Sequence, residues 1–232
     1  DVVETGRGHA VPGVLFRMDD VTLKAMDRKE GIKAEAYERR KVRVTLPNGT
    51  FVDALTYCVT EKRKEKRFIQ PTSMYSNLIL NGLKKRKLPI EELKNAIENF
   101  SPSYPIENLF VYGTLMRGEQ RHTTLEECCV GEGRSATAHG KILDLGNYPG
   151  MIAGGDDVVQ GEVYHIDQVY PALQTLDSIE GFYGYDSDHS LFTRTIVQIM
   201  TENGSEWAWT YVYNQEEGVE SQAIESGDWR NR

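Results

Sequence analysis

The chain has 232 residues, with 27 Lys and Arg against 35 Asp and Glu and a formal net charge of −8 at pH 7. Its 39% apolar content and mean hydropathy of −0.50 describe a water-facing protein with apolar residues enough for two modest cores. No run reaches the roughly 18 apolar residues of a membrane span, and three cysteines, with Cys128 and Cys129 adjacent, do not make a disulfide framework, so a reducing cytoplasm is the expected setting.

In chain order, residues 1–10 read as a polar, Gly-rich loop. Residues 13–18 read as a strand and 20–30 as a short helix. An alternating hairpin covers 41–59, turning at Asn48-Gly49. A charged loop at 60–70 follows, then a helix over 72–84 behind Pro71, with Thr72 or Ser73 as its cap. Pro89 opens a helix over 90–99. Ser101-Pro102-Ser103-Tyr104-Pro105 reads as a linker, since two prolines among small residues interrupt both helix and strand. The basic clusters Lys62-Arg63-Lys64, Lys66-Arg67 and Lys84-Lys85-Arg86-Lys87 lie in this half. They read as solvated faces, because no aromatics are interleaved for stacking on bases. Nucleic acid is not an expected partner.

Past the linker, a strand is expected at 108–112, a helix near 118–127, and strands near 137–144 and 158–166. Tyr148-Pro149-Gly150-Met151 reads as a loop between them. A helix over 170–180 ends at Gly181, and strands over 192–201 and 206–214 form a last hairpin around Asn203-Gly204. Trp207, Trp209, Tyr211 and Tyr213 fall on one face of that hairpin and read as packing rather than as a ligand box. Gly131-Glu132-Gly133-Arg134-Ser135-Ala136 has dinucleotide-type spacing, but a strand follows it where a helix is required, so it reads as a turn. The five histidines show no ligand spacing, and no metal is expected.

Two features carry chemistry. The apolar run Phe110-Val111-Tyr112 breaks at Gly113, and Thr114 and Leu115 follow. A glycine there lets the chain turn and aim backbone amides at an anion. Glu180 stands at the end of an apolar helix, just before Gly181. A carboxylate there faces the negative end of the helix dipole, which favours a proton-accepting group with a raised pKa. Asp177, three residues earlier on roughly the same face, reads equally as a like charge that raises the Glu180 pKa further and as a side chain that caps or contacts neighbouring backbone. The acidic feature occurs twice: Met26-Asp27-Arg28-Lys29-Glu30-Gly31 matches Leu176-Asp177-Ser178-Ile179-Glu180-Gly181. A strand precedes each copy and an Asn-Gly hairpin follows it, so the chain reads as a tandem duplication.

At these residues the chain resembles the gamma-glutamylcyclotransferase-like superfamily, which includes the AIG2-like proteins. Tyr112-Gly113-Thr114-Leu115-Met116-Arg117-Gly118 is similar to the opening turn of the gamma-glutamylamine cyclotransferase branch. Pro71, Tyr75, Gly82 and Leu88-Pro89 are similar to the trailer of gamma-glutamylcyclotransferases proper. The first copy departs from the pattern, because no Tyr-Gly-Ser or Tyr-Gly-Thr turn precedes Gly13. The chain starts at Asp1 rather than Met, and upstream residues are expected to be missing.

The resemblance implies an α+β architecture of two tandem small mixed β-barrels with appended helices. The first, 1–100, is expected to be incomplete at its start and the second, 106–232, complete. It implies 5-oxoproline formation from a small gamma-glutamyl substrate, with no cofactor, metal or membrane. Glu180 is the implied acid/base, with Glu30 its counterpart. The backbone of Tyr112, Gly113, Thr114 and Leu115 is implied to hold the substrate, with Tyr148, Tyr185 and Arg194 as secondary candidates at the rim. A non-catalytic module that binds a small anionic metabolite shares the turn and does not need the acid. The leaving amine and the oligomeric state are not written in the sequence.

Overall fold

The first helix illustrates how local chemistry sets the boundaries. In the computed structural model, which describes residues 8–100, 106–185, 187–214 and 222–232, α1 spans Asp20–Glu30. The Asp19 carboxylate caps it, accepting from the Thr22 amide at 2.8 Å. Gly31 ends it at φ 69°, a left-handed conformation that costs glycine little. The expected linker at 101–105 and the first seven residues lie outside the described residues. By its internal packing the chain falls into two units: Asp1–Val44 with Asp53–Pro105, and Thr45–Val52 with Ile106–Arg232.

The first unit continues with β1 (Tyr37–Thr45) and β2 (Phe51–Val59), apart from the hairpin tip Thr45–Val52 counted with the second; the two strands pair around Asn48-Gly49. Next come α2 (Ser73–Lys85), capped by the Thr72 hydroxyl, and α3 (Glu91–Glu98). Residues 13–18 are not a strand. A strand needs a ladder partner, and among the described residues the first unit's two strands pair with each other. For the same reason this unit is not a barrel: its described sheet has two strands. One hairpin face covers little, so Phe16, Val21, Met74 and Leu78 are exposed while Cys58 and Ser76 are buried.

The second unit is a mixed α+β fold with most of its core on one six-stranded sheet. Its strands are β3 (Asn108–Val111), β4 (Cys129–Asp144), β5 (Pro149–Ile166), β6 (Phe192–Thr201), β7 (Gly204–Tyr213) and the short β8 (Gln222–Ala223). They lie in the order β5-β3-β7-β6-β4-β8, and β4 also pairs with β5. Two helices punctuate them, the single turn α4 (Thr123–Glu126) and α5 (Val169–Glu180).

β4 and β5 are longer than expected. The Gly131-Glu132-Gly133 stretch is a bulged part of β4, with a register shift between Val130 and Arg134, rather than a turn. Pro149-Gly150-Met151 opens β5 instead of forming a loop. The helix expected over 118–127 shrinks to α4, because residues 113–122 are consumed by successive tight turns. α5 buries Val169, Ala172, Leu173 and Leu176, a helical stripe that seats it on the core. Gly181 closes α5 at φ 62°, as Gly31 closes α1.

Candidate functional site

β3 runs between β5 and β7, and Leu109, Phe110 and Val111 are buried. It delivers Tyr112 to the end of the sheet. The buried Tyr112 hydroxyl donates to the Tyr211 carbonyl at 2.7 Å and accepts from the Met151 amide at 3.1 Å. Burial, and then the Glu180 charge, push the phenol far above its ordinary range, so Tyr112 stays protonated and acts as a wall.

The chain then turns through Gly113, Thr114 and Leu115. The Met116 amide donates to the Gly113 carbonyl at 2.9 Å and the Arg121 amide to the Thr114 carbonyl at 2.8 Å. Among the described residues the amides of Gly113, Thr114 and Leu115 donate to no backbone partner. Glycine is required at 113 for a different reason than the one expected. Its φ is not left-handed, but an added Cβ would stand 2.5 Å from Cγ of Pro149. The constraint is close approach to a rigid ring, which no single-chain spacing reveals.

Glu180 comes from the opposite side, as the last residue of α5. With Tyr112, Gly113, Thr114, Leu115 and Tyr211 it lines one cavity of about 100 Å³. No hydrogen bond or ion pair among the described residues engages its side chain. Burial pushes its carboxyl up to about 7, against a smaller downward pull from the Arg121 guanidinium. Neither the neighbouring Asp177 nor the helix end is needed to explain the raised value.

Asp177 is occupied elsewhere. Its Oδ2 accepts from Arg194 Nη1 at 2.7 Å and its Oδ1 from the Tyr211 hydroxyl at 2.7 Å. Arg194 is buried, with its guanidinium 5.3 Å from the Phe182 ring centre and 5.4 Å from that of Trp209. This cluster fastens the last turn of α5 to β6 and β7, and so fixes where Glu180 projects. Arg194 is therefore not a rim residue. Tyr148 does line the cavity, while Tyr185 is not among its lining. The aromatic stripe of β7 divides: Trp207 is exposed, Trp209 covers Arg194, and Tyr211 belongs to the site.

The cavity is built from the second unit alone. Glu30 ends α1 in the first unit and is half-buried. The sequence did not single out Pro149 or Arg121, both of which line the cavity. Arg121 lies in a run of turns with no periodicity to mark it. Pro149 matters only through its contact with a glycine 36 positions earlier. Among the described residues no group of His, Cys, Asp and Glu is arranged to hold a metal ion, and no helix is long and apolar enough to cross a membrane.

Residues 109–231 match the model of the family described as gamma-glutamyl cyclotransferase, AIG2-like, and residues 10–95 match that of the AIG2-like family. A gamma-L-glutamyl-butirosin B gamma-glutamyl cyclotransferase from Niallia circulans is 35% identical over 124 residues, covering 53% of this chain and 75% of that protein. A Vibrio cholerae relative is 34% identical, over 53% of this chain and 96% of its own length. The crystal structure of YkqA from Bacillus subtilis aligns over 53% of this chain and 39% of that one, at 28% identity and a TM-score of 0.41. Enzyme names among the relatives do not favour the non-catalytic module.

Proposed function

Because the chain belongs to the gamma-glutamyl cyclotransferase, AIG2-like family, with AIG2-like matches in tandem, we propose that its second unit converts a gamma-glutamyl amine or amino acid into 5-oxoproline and a free amine. The nucleophile is the substrate's own α-amine. Glu180 takes a proton from the α-ammonium, and the freed amine attacks the γ-carbonyl carbon to close a five-membered ring. The protonated Glu180 then returns the proton to the departing nitrogen as the old amide bond breaks, and the regenerated carboxylate takes the second proton from the ring nitrogen and passes it to the freed amine, which leaves as its ammonium. The reaction as drawn needs no metal, because nucleophile and electrophile are one molecule.

A carboxyl poised near neutrality suits both transfers, since it gives and accepts a proton at small cost. The remaining difficulty is entropic, holding a flexible chain in a near-attack geometry. The open amides of Gly113, Thr114 and Leu115 are suited to grip the glutamyl carboxylate or the carbonyl oxygen. The circuit β5-β3-β7-β6-β4, with β4 also on β5, supports reading this unit as a small barrel with the site at the end of β3.

One observation carries the reading: an unpaired, half-buried carboxyl shares a cavity with a turn of unpaired amides. Incubation with a panel of gamma-glutamyl amines and dipeptides, with 5-oxoproline as the readout, tests it. Release from at least one of them, lost in Glu180→Gln, is the expected result. Release that survives the substitution overturns the assignment of Glu180.

A further inference from the structure

We propose that Arg121 selects the leaving group, favouring gamma-glutamyl amino acids, whose departing amine carries a carboxylate, over simple gamma-glutamyl amines. The proposal rests on the cyclotransferase reading of the same cavity and deepens it.

The argument begins with size. A cavity of about 100 Å³ accommodates a folded glutamyl group and little beyond it. The leaving amine must therefore extend outward. The lining shows which way is out. Phe110, Tyr112, Thr210 and Tyr211 are buried, Thr114, Tyr148 and Leu191 are half-buried, and Arg121 alone among the lining residues is exposed. Arg121 thus stands at the mouth, where the leaving group passes.

Charge is the second step. Arg121 is the single cation in the lining. Other arginines of this unit are committed: Arg134 to Glu206, Arg194 to Asp177 and Arg230 to Glu162. Among the described residues no hydrogen bond or ion pair within 4.0 Å engages the Arg121 guanidinium. Its pull on Glu180 nevertheless places its charge within electrostatic reach of the reacting atoms.

Position is the third step. The backbone that carries Arg121 is built into the site. The Arg121 amide donates to the Thr114 carbonyl, and His122 Nδ1 lies 3.0 Å from the Leu115 carbonyl. Just upstream, the Arg117 amide donates to Glu162 at 2.8 Å, and Arg230 donates to the Arg117 carbonyl at 2.6 Å and to Glu162 at 2.9 Å.

Matching charges then assigns partners. The substrate's α-ammonium must meet Glu180, and its own carboxylate or carbonyl oxygen has the open amides of the turn. A carboxylate on the leaving amine meets no cation in the lining of this cavity but Arg121, whose planar fork suits it. A neutral leaving amine gains nothing there, and a cationic one is repelled.

The test uses gamma-glutamylalanine and gamma-glutamylethylamine, which differ by that carboxylate alone. The ratio of their kcat/KM values is measured for the native protein and for Arg121→Ala, Arg121→Glu and Arg121→Lys, all exposed substitutions that leave the core untouched. The ratio is expected to fall about tenfold in the alanine variant, to reverse in the glutamate variant and to stay within about threefold in the lysine variant. It should also shrink as salt is raised. If Arg121→Ala slows both substrates equally, Arg121 holds the glutamyl part instead and the proposal fails. It fails too if the ratio does not move. Calorimetric binding of both compounds to Glu180→Gln, with and without Arg121→Ala, separates this inference from the reaction beneath it. If the native protein releases no 5-oxoproline, the cyclotransferase reading falls. A preference for the alanine compound that vanishes with Arg121 still upholds the inference, and equal affinities overturn it.

Discussion

Glu180→Gln is expected to remove activity and to stabilise the protein, and the second effect depends on pH in a way that identifies the cause. Burial holds the carboxyl of Glu180 at about 7 against an ordinary 4.5. A folded-state pKa above the unfolded value means the native state keeps its proton longer. The native state is therefore favoured at low pH, and that advantage is lost as pH rises from 4.5 through about 7. At about 1.36 kcal/mol per pKa unit, the interval makes an ionised Glu180 cost about 3 kcal/mol above pH 7, an upper figure for a half-buried side chain. Glutamine has the same shape and no charge to bury, so it escapes this cost. For a protein of this size, each kcal/mol moves Tm by roughly 2–4 °C. Scanning calorimetry of both proteins should show nearly equal Tm values at pH 4.5 and a higher Tm for the variant at pH 8. Release of 5-oxoproline should rise through pH 7 in the native protein and be absent in the variant. A Tm difference that is the same at both pH values would refute the claim that Glu180 is a carboxylate strained by burial.

Three further outcomes follow from the geometry. Gly113→Ala places a methyl group against the Pro149 ring, and overpacking of this kind costs about 1–3 kcal/mol; chemical denaturation should show the loss, and kcat should fall because the turn itself must shift. Arg194→Leu removes a buried cation and leaves the half-buried Asp177 without it, a loss of up to about 3 kcal/mol in the same assay, whereas Arg39→Leu breaks a pair whose arginine is much more exposed and should move the midpoint much less. Glu30→Gln is expected to change 5-oxoproline release by less than about twofold, since the cavity that holds the amide turn is lined by Glu180; a large loss would shift the catalysis to the first copy.

The parts of this molecule that were legible in the sequence are those fixed by local chemistry. Helix ends at Gly31 and Gly181, the Thr72 cap and the Asn-Gly hairpins were readable because each depends on a few adjacent residues. The pairing of the 112–115 turn with Glu180 was readable through the order of motifs, although the residues lie more than sixty positions apart. Other features were hidden because long-range contacts decide them. Residues 13–18 have strand composition and no partner strand. The bulge at Gly131 lengthens β4 through what the sequence marks as a turn. Arg194 is a polar residue on an alternating strand, and nothing local shows that it is sealed between Phe182 and Trp209. Asp177 could be read locally as a like charge on Glu180 or as a contact to neighbouring backbone; its partners are instead Arg194 and Tyr211, from strands that follow later in the chain.

That Asp177 cluster has a counterpart which clarifies what it is for. In the first unit Asp27 accepts from Arg39 and from the Tyr57 hydroxyl, as Asp177 accepts from Arg194 and Tyr211 in the second. In each unit the aspartate sits in the last turn of the helix, four residues before a left-handed glycine, and its partners come from the hairpin that follows. The two clusters differ in setting. Arg194 is buried against two aromatic rings, whereas Arg39 is substantially exposed. A motif that recurs in both settings is explained by what the settings share, the attachment of a helix end to a hairpin. Its role is then to hold the glutamate three residues further on in a fixed place. The reaction proposed above would draw on what the second unit adds: a turn with open amides, and enough burial to bring that glutamate to neutrality.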